Sequence, residues 1–254
     1  MIRVAVSGAG GRMGGLVMET VAAAEDLDLV AGYDPNHAGE TVAGMTVSAD
    51  PSVVSGADVV VEFTAPAVVM ENLRRWHGAG VSAVAGTSGF DAVRLAELRE
   101  FWTEAPPHCL IAPNFSIGAV LMMKFAEMAA PHFAAAEIIE LHHDRKADAP
   151  SGTALSTAER MSAAGGRQER AVESQELLAG ARGAAGAGVP IHSVRLPGLL
   201  GHHEVLFGTA GETLTIRHDS LDRISFMPGA LLAIRNVRSL PDPVTVGIEG
   251  LLGI

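Results

Sequence analysis

Two histidines stand side by side at positions 142 and 143. Arg145, Lys146 and Asp148 follow them, and then Pro-Ser-Gly-Thr at 150–153. Histidine changes charge near neutral pH and is able to hand a proton to a reacting atom. Lysine holds an anion, or acts as an acid where its pKa is lowered. The Pro-Ser-Gly-Thr run reads as a helix start with Ser151 as N-cap, and Gly152 and Thr153 offer N–H groups unobstructed by bulk. A helix N-terminus beside a lysine and two histidines suits a carboxylate. The chemistry this points to is capture of an anion next to a proton donor.

Two other readings of the segment stay open. A metal site is one, but the histidines are adjacent rather than four apart on a helix and Cys109 is far off in sequence, so no metal is expected. A polar loop closing on a helix cap is the other. His202 and His203 form a second pair. They follow Gly201 at the start of a strand-like run and read as ordinary strand residues.

A second chemical signal lies near the N-terminus. In VAVSGAGGRMGG, Gly8, Gly11 and Gly14 separate a strand-like run from a helical one. The common G-x-G-x-x-G spacing would need glycine at 13, where Met13 stands. The mechanics survive: glycines allow a tight turn and close approach to a pyrophosphate, and the helix start presents N–H groups to it. Arg12 is placed to reach a phosphate. Asp34 ends the second strand, 20 residues after Gly14, near where an acid accepts hydrogen bonds from a ribose hydroxyl. An acid there repels a 2′-phosphate, which favours NADH over NADPH. Arg12 offsets that repulsion, so dual use is expected. A simple turn, and a plain surface acid at Asp34, are the competing readings. EFTAP (62–66) and GTSGF (86–90) follow buried strand-like runs and are placed to flank a nicotinamide and its ribose.

These residues need elements to hold them. The first 115 residues alternate strand and helix patterns: IRVAVS, LDLVAGY, ADVVVEFT, VSAVAGT and HCLIAPN, separated by helical spacing near 13–24, 68–78 and 91–103. Such alternation argues for a parallel sheet covered on both faces. After Asn114 the rhythm changes. Residues 118–133 read as one helix, AEIIELHH as a strand, and 151–164 as a helix. His142 and His143 would point to opposite faces of that strand, so they serve one site only if the strand ends there, as Asp144-Arg145 suggests. Residues 165–188, rich in Gly, Ala and Arg, read as a mobile loop. PIHSVRL, HEVLFGT and ETLTIRH are strand-like, with Ala210-Gly211 as a hairpin turn between the last two. Residues 227–235 read as a helix and VTVGIEG as a last strand. The final helix is able to return to the first half.

Composition narrows the partners. The 254 residues are 48% hydrophobic with a formal net charge of −11, which excludes nucleic acid and an anionic membrane surface as partners. An acidic small molecule remains, provided a local basic pocket overrides the global field. Cys109 is the single cysteine and reads as core packing; no intrachain disulfide can form, which fits a reducing cytoplasm. No signal peptide or membrane-spanning helix is expected.

EIIELHHDRKADAPSGTA (137–154) resembles the signature of the 4-hydroxy-tetrahydrodipicolinate (dihydrodipicolinate) reductase family, E-x-x-E-x-H-H-x-x-K-x-D-x-P-S-G-T-A. GAGGRMG, EFT, GTSGF, APNFSIG and GETLTIRHDS extend the resemblance along nearly the whole chain. It implies reduction of a cyclic, unsaturated dicarboxylate to tetrahydrodipicolinate by NADH or NADPH, in diaminopimelate and lysine synthesis. It implies an α/β fold: a Rossmann-type parallel sheet (1–115) completed by the C-terminal segment (222–254), and an α+β substrate and oligomerisation domain (116–221) with a mixed or antiparallel sheet. A homotetramer that pairs these second sheets follows from the same likeness. Carried over by position, His142 is the acid/base and Lys146 the donor, and His143, Gly152 and Thr153 bind substrate. Cofactor contacts fall to Gly8, Ala9, Gly10, Gly11, Arg12, Met13, Asp34, Gly86, Thr87, Ser88, Ala112, Pro113, Asn114 and Phe115. Glu62 stands where many members have Asp, Ser88 where Thr is common, and Arg145 where histidine is frequent. The hinge is expected near 114–118. A nucleotide-binding sensor without catalysis, and a dehydrogenase acting on an amino acid such as aspartate, are the competing functions.

Overall fold

The continuous apolar runs of the N-terminal half become strands buried on both faces. In the computed structural model, which describes residues 1–166, 172, 173 and 175–254, they are β1 (Ile2–Ser7), β2 (Leu27–Tyr33), β5 (Val59–Glu62), β6 (Ser82–Ala85) and β7 (Cys109–Ile111). Helices α1 (Arg12–Ala22), α2 (Val69–Gly78) and α3 (Ala92–Phe101) connect them. A small ribbon of β3 (Thr41–Val42) and β4 (Met45–Thr46) leaves the sheet after β2. The second half begins with α4 (Ile117–Ala129), β8 (Ala135–His142) and α5 (Gly152–Ala163). It continues with β9 (Ala184–Gly186), β10 (Val189–Arg195), β11 (Gly201–Thr209) and β12 (Glu212–Ser220). The chain ends on α6 (Met227–Asn236), β13 (Val244–Val246) and α7 (Glu249–Leu252). Two units result: Met1–Phe115 with Phe226–Ile254, and Ser116–Ser225.

In the first unit six strands run parallel in the order β13-β7-β6-β5-β1-β2. Register aligns their carboxyl ends in one row: Val246, Ile111, Ala85, Glu62, Ser7 and Tyr33. Gly8, Asp34, Gly86 and Ala112 are each the next residue along the chain. In open parallel sheets this edge carries ligands, where strand order reverses, as it does around β1. Below the row, Val60, Leu73, Trp76, Ala83, Leu98 and Trp102 pack into one core. Each such large apolar side chain contributes about 1.5–3 kcal/mol by leaving water.

The second unit holds a five-stranded mixed sheet, β12-β11-β8-β10-β9, in which only β8 and β10 run parallel. Alternation sets one buried face. Ala136, Ile138 and Glu140 of β8 pair with Phe207, Val205 and His203 of β11, all six buried. Buried residues of α4 (Val120, Met122, Met123) and α5 (Ala158, Met161) belong to the helices beside this sheet.

Two expectations from the sequence change here. The helix drawn over 118–133 is α4, ending at Ala129, and a 3-10 turn, Ala130–His132. Pro131 is the cause, since it has no N–H to continue the α ladder. The loop drawn over 165–188 contains β9, which pairs antiparallel with β10; its residues 167–171 and 174 lie outside the described residues. Among the described residues no helix is long and apolar enough to cross a membrane.

Candidate active site

The glycine loop is anchored to its neighbour strand. Gly8 and Ala9 N–H donate to the Tyr33 carbonyl at 2.9 and 3.2 Å, and Gly11 N–H to Gly8 O at 3.0 Å. Gly8 has φ +81°, and a Cβ there would meet Phe63 O at 2.3 Å; one at Gly14 would meet Gly8 O at 1.9 Å. Only glycine fits either place. Gly11 is the N-cap of α1 and has no side chain to cap it, so the first turn offers its N–H groups and positive dipole end. Asp34 is buried. Its carboxylate accepts from Gly10 N–H (3.1 Å) and Asn36 N–H (3.0 Å) and pairs with His37 Nδ1 (2.9 Å). Arg12 is exposed at the first position of α1. A cleft of about 320 Å³ runs past Gly8, Gly11, Asp34, Asn36, Phe63 and Thr64.

The next strand ends are tied together. Thr87 Oγ1 accepts from Thr64 N–H at 3.0 Å and donates to Glu62 O at 3.3 Å. Glu62 is fully buried; Thr64 Oγ1, Asn72 Nδ2 (3.1 Å) and Trp76 Nε1 (2.8 Å) donate to its carboxylate. Burial raises its pKa, and these hydrogen bonds offset only part of the rise. Phe115 is buried with its ring 5.6 Å from that of Phe63, while Ser88 and Pro113 are exposed.

In the second unit, β8 ends at His142 and the chain turns at Asp144-Arg145. His142 and Glu140 share a face, two residues apart, and His142 Nδ1 bonds Glu140 Oε2. Glu140 Oε1 accepts from Ser151 N–H at 3.2 Å. Arg195 grips both carboxylate oxygens, Nη1 at 2.9 Å and Nη2 at 2.8 Å. Burial opposes the charge on Glu140, yet the bonds from His142 and Arg195 hold its pKa well below the usual carboxylate range. Ser151 caps α5 by accepting from Ala154 N–H at 3.2 Å, and its Oγ lies 3.2 Å from His203 Nε2. The His142 and His203 rings meet edge to face at 5.6 Å. Lys146 Nζ is held by both oxygens of Asp148 at 2.7 and 2.9 Å. The pKa of His143 is lowered by desolvation and by the charges of Arg145, Arg223 and His142.

The sequence profile of the dihydrodipicolinate reductase N-terminus matches residues 2–115, and that of its C-terminus matches residues 118–252. The chain belongs to the dihydrodipicolinate reductase family. Proteins named 4-hydroxy-tetrahydrodipicolinate reductase from Thermobifida fusca and Cutibacterium acnes are 54% and 52% identical to it, each alignment covering 100% of both chains. A solved dipicolinate-bound dihydrodipicolinate reductase from Paenisporosarcina sp. TG-14 superposes with a TM-score of 0.84 at 40% identity, covering 98% of this chain and 99% of that one. Membership of the dihydrodipicolinate reductases makes the first unit a Rossmann-type domain for a nicotinamide cofactor.

Sequence reasoning overlooked three residues at the His142 end of this reductase. Glu140 stands in the quoted signature without a role, Arg195 has no place in it, and His203 reads from the sequence as an ordinary strand residue. That reading of His203 is corrected by its burial against Ser151 and His142. Period-two spacing from Ile138 puts Glu140 and His142 on the core face, and that signal was available. Arg195 had none, because its reach to Glu140 depends on the parallel pairing of β10 with β8.

Proposed function

We propose that the chain is a 4-hydroxy-tetrahydrodipicolinate reductase, using NADH or NADPH to reduce a cyclic dicarboxylate to tetrahydrodipicolinate on the way to diaminopimelate and lysine. The cationic end of β8 facing the start of α5 carries this reading. Dipicolinate, bound by the Paenisporosarcina enzyme, is a ring with two carboxylates. The same chemistry is met here by Lys146, His143 and the N–H groups of Gly152 and Thr153. Asp148 occupies two of the three Lys146 donors, and the substrate competes with it for that ammonium.

The cofactor side fits a dinucleotide. The glycine loop closes on Tyr33 and Phe63 too tightly for side chains, and the uncapped start of α1 suits a pyrophosphate. The residues assigned to hold it are Gly8 to Met13, Asp34, Gly86 to Ser88 and Ala112 to Phe115. When bound, the nicotinamide supplies a hydride. Once the 4-hydroxyl has left as water, His142 would give the proton that completes the reduction, while Lys146 and the α5 N–H groups would hold the carboxylates. Asp34 favours NADH, because a 2′-phosphate would meet its carboxylate, while Arg12 offsets part of that repulsion. A homotetramer paired through the second sheets, working in the cytoplasm, completes the proposal.

The test is NADH oxidation with substrate made in situ by the upstream synthase. Turnover is expected, with kcat/KM higher for NADH than for NADPH. His142→Gln should lower kcat by about 10²–10⁴-fold, the usual worth of a general acid, with NADH affinity unchanged. Wild-type turnover by that variant removes His142 from the chemistry. Absence of oxidation of both NADH and NADPH by the native chain returns it to a nucleotide-binding sensor.

A further inference from the structure

We propose that Glu140 and Arg195 are positioning residues: together they hold the His142 ring so that Nε2 is the atom that gives up the proton, and they lock that ring to the loop bearing Lys146. This rests on the reading of His142 as proton donor.

Glu140 is 0% exposed on the core stripe of β8, and both its oxygens are used. Oε2 takes His142 Nδ1 and Arg195 Nη1; Oε1 takes Arg195 Nη2 and Ser151 N–H. An ionised carboxylate only accepts, so a proton must sit on His142 Nδ1 in either charge state. The proton that comes and goes is therefore on Nε2. A histidine's partner on one ring nitrogen sets the tautomer and aim of the other.

The surroundings give Glu140 a second task. Lys146 on the loop and Arg195 on β10 bring fixed positive charge to this end of the sheet, while His143 on the loop, His203 on β11 and His218 on β12 are each pushed towards the neutral form by desolvation. Asp148 is engaged by Lys146, which leaves Glu140 as the carboxylate in contact with the imidazole. Arg195 keeps Glu140 anionic and pinned. The same guanidinium reaches out of the strand: Nη2 donates to the Asp148 carbonyl at 2.7 Å. One side chain thus sets both the His142 ring, through Glu140, and the backbone two residues beyond Lys146.

Two measurements test this. On native protein labelled with ¹⁵N in histidine, the neutral His142 ring should appear as the Nδ1–H tautomer; an Nε2–H tautomer overturns the proposal. For Glu140→Gln, kcat should fall about 10²-fold, as for a misaimed catalytic group. The KM for NADH should stay unchanged, and Glu140→Asp, which keeps an acceptor on the same stripe, should recover part of the lost kcat. A variant that melts earlier but keeps the native kcat shows a structural role only and sinks the idea. If Glu140→Gln does not fold, the tautomer of the native chain decides alone. Failure of the underlying reading looks different: His142→Gln would then remain active, whatever the tautomer.

Discussion

His203 is 4% exposed, with Nε2 against Ser151 Oγ and its ring against that of His142. Burial, then the charge of His142, pushes its pKa down to about 4, with Glu140 working the other way. The native state thus keeps this ring neutral, while an unfolded chain binds a proton near pH 6.5. Between those values the unfolded state holds more protons, so stability must fall as pH drops from about 6.5 towards 4. The full shift is worth about 3 kcal/mol at one pKa unit per 1.36 kcal/mol. Urea unfolding from pH 7 to pH 4.5 should show this loss. His203→Gln should flatten the slope, and an unchanged slope would deny His203 the role. Glu140 adds its own loss only at the acid end of that window, because an unfolded chain protonates this carboxylate as pH falls through about 4.5 while the native one stays ionised. The sequence displayed His202 and His203 as equals. Pairing of β11 with β8 sets His203 opposite Glu140 on the buried face, and His202 on the other face beside Asp219. A doublet of identical residues cannot announce which of the two faces inward.

At the level of elements, the turn from β1 into α1 is the most demanding. Its tightest approach is at Gly14, where a methyl group would overlap the carbonyl of Gly8. Gly14→Ala must push α1 off the loop, costing about 1–3 kcal/mol as overpacked sites do. NADH affinity should fall at least tenfold while the second unit keeps its fold. Calorimetric titration with NADH checks this, and native affinity would show that the loop tolerates the shift. This element was legible because a β-branched run, three glycines and a helical pattern occur in order. The continuous runs of β5 and β6 were legible for a related reason, as both faces are buried. Short pieces were not. The β3–β4 ribbon has two residues per strand, too few for any period to register. Strand β9 is built from Ala184, Ala185 and Gly186, whose composition says loop; it exists because β10 offers an edge.

Across the whole molecule, the first unit is assembled from two stretches of chain far apart in sequence. Residues Met227, Ala230, Ala233 and Ile234 of α6 are buried, and β13 supplies the strand beyond β7. Arg235 also pairs with Asp26 at 2.8 Å. A chain stopped at Ser225 should therefore lose NADH binding and cooperative melting of the first unit, which calorimetry would register; retained binding would make the segment dispensable. VTVGIEG reads as a strand from its residues alone, but that it joins the first sheet follows only from the family resemblance, and no residue pattern specifies its parallel partner, β7. Cys109 sits in that partner strand, 0% exposed, and burial lifts its thiol pKa far above the usual value. Alkylating reagents will therefore pass the native chain by. A cysteine written in at Glu100 or Glu212, both on the surface, becomes the one point where a dye, a spin label or a tether can be fixed.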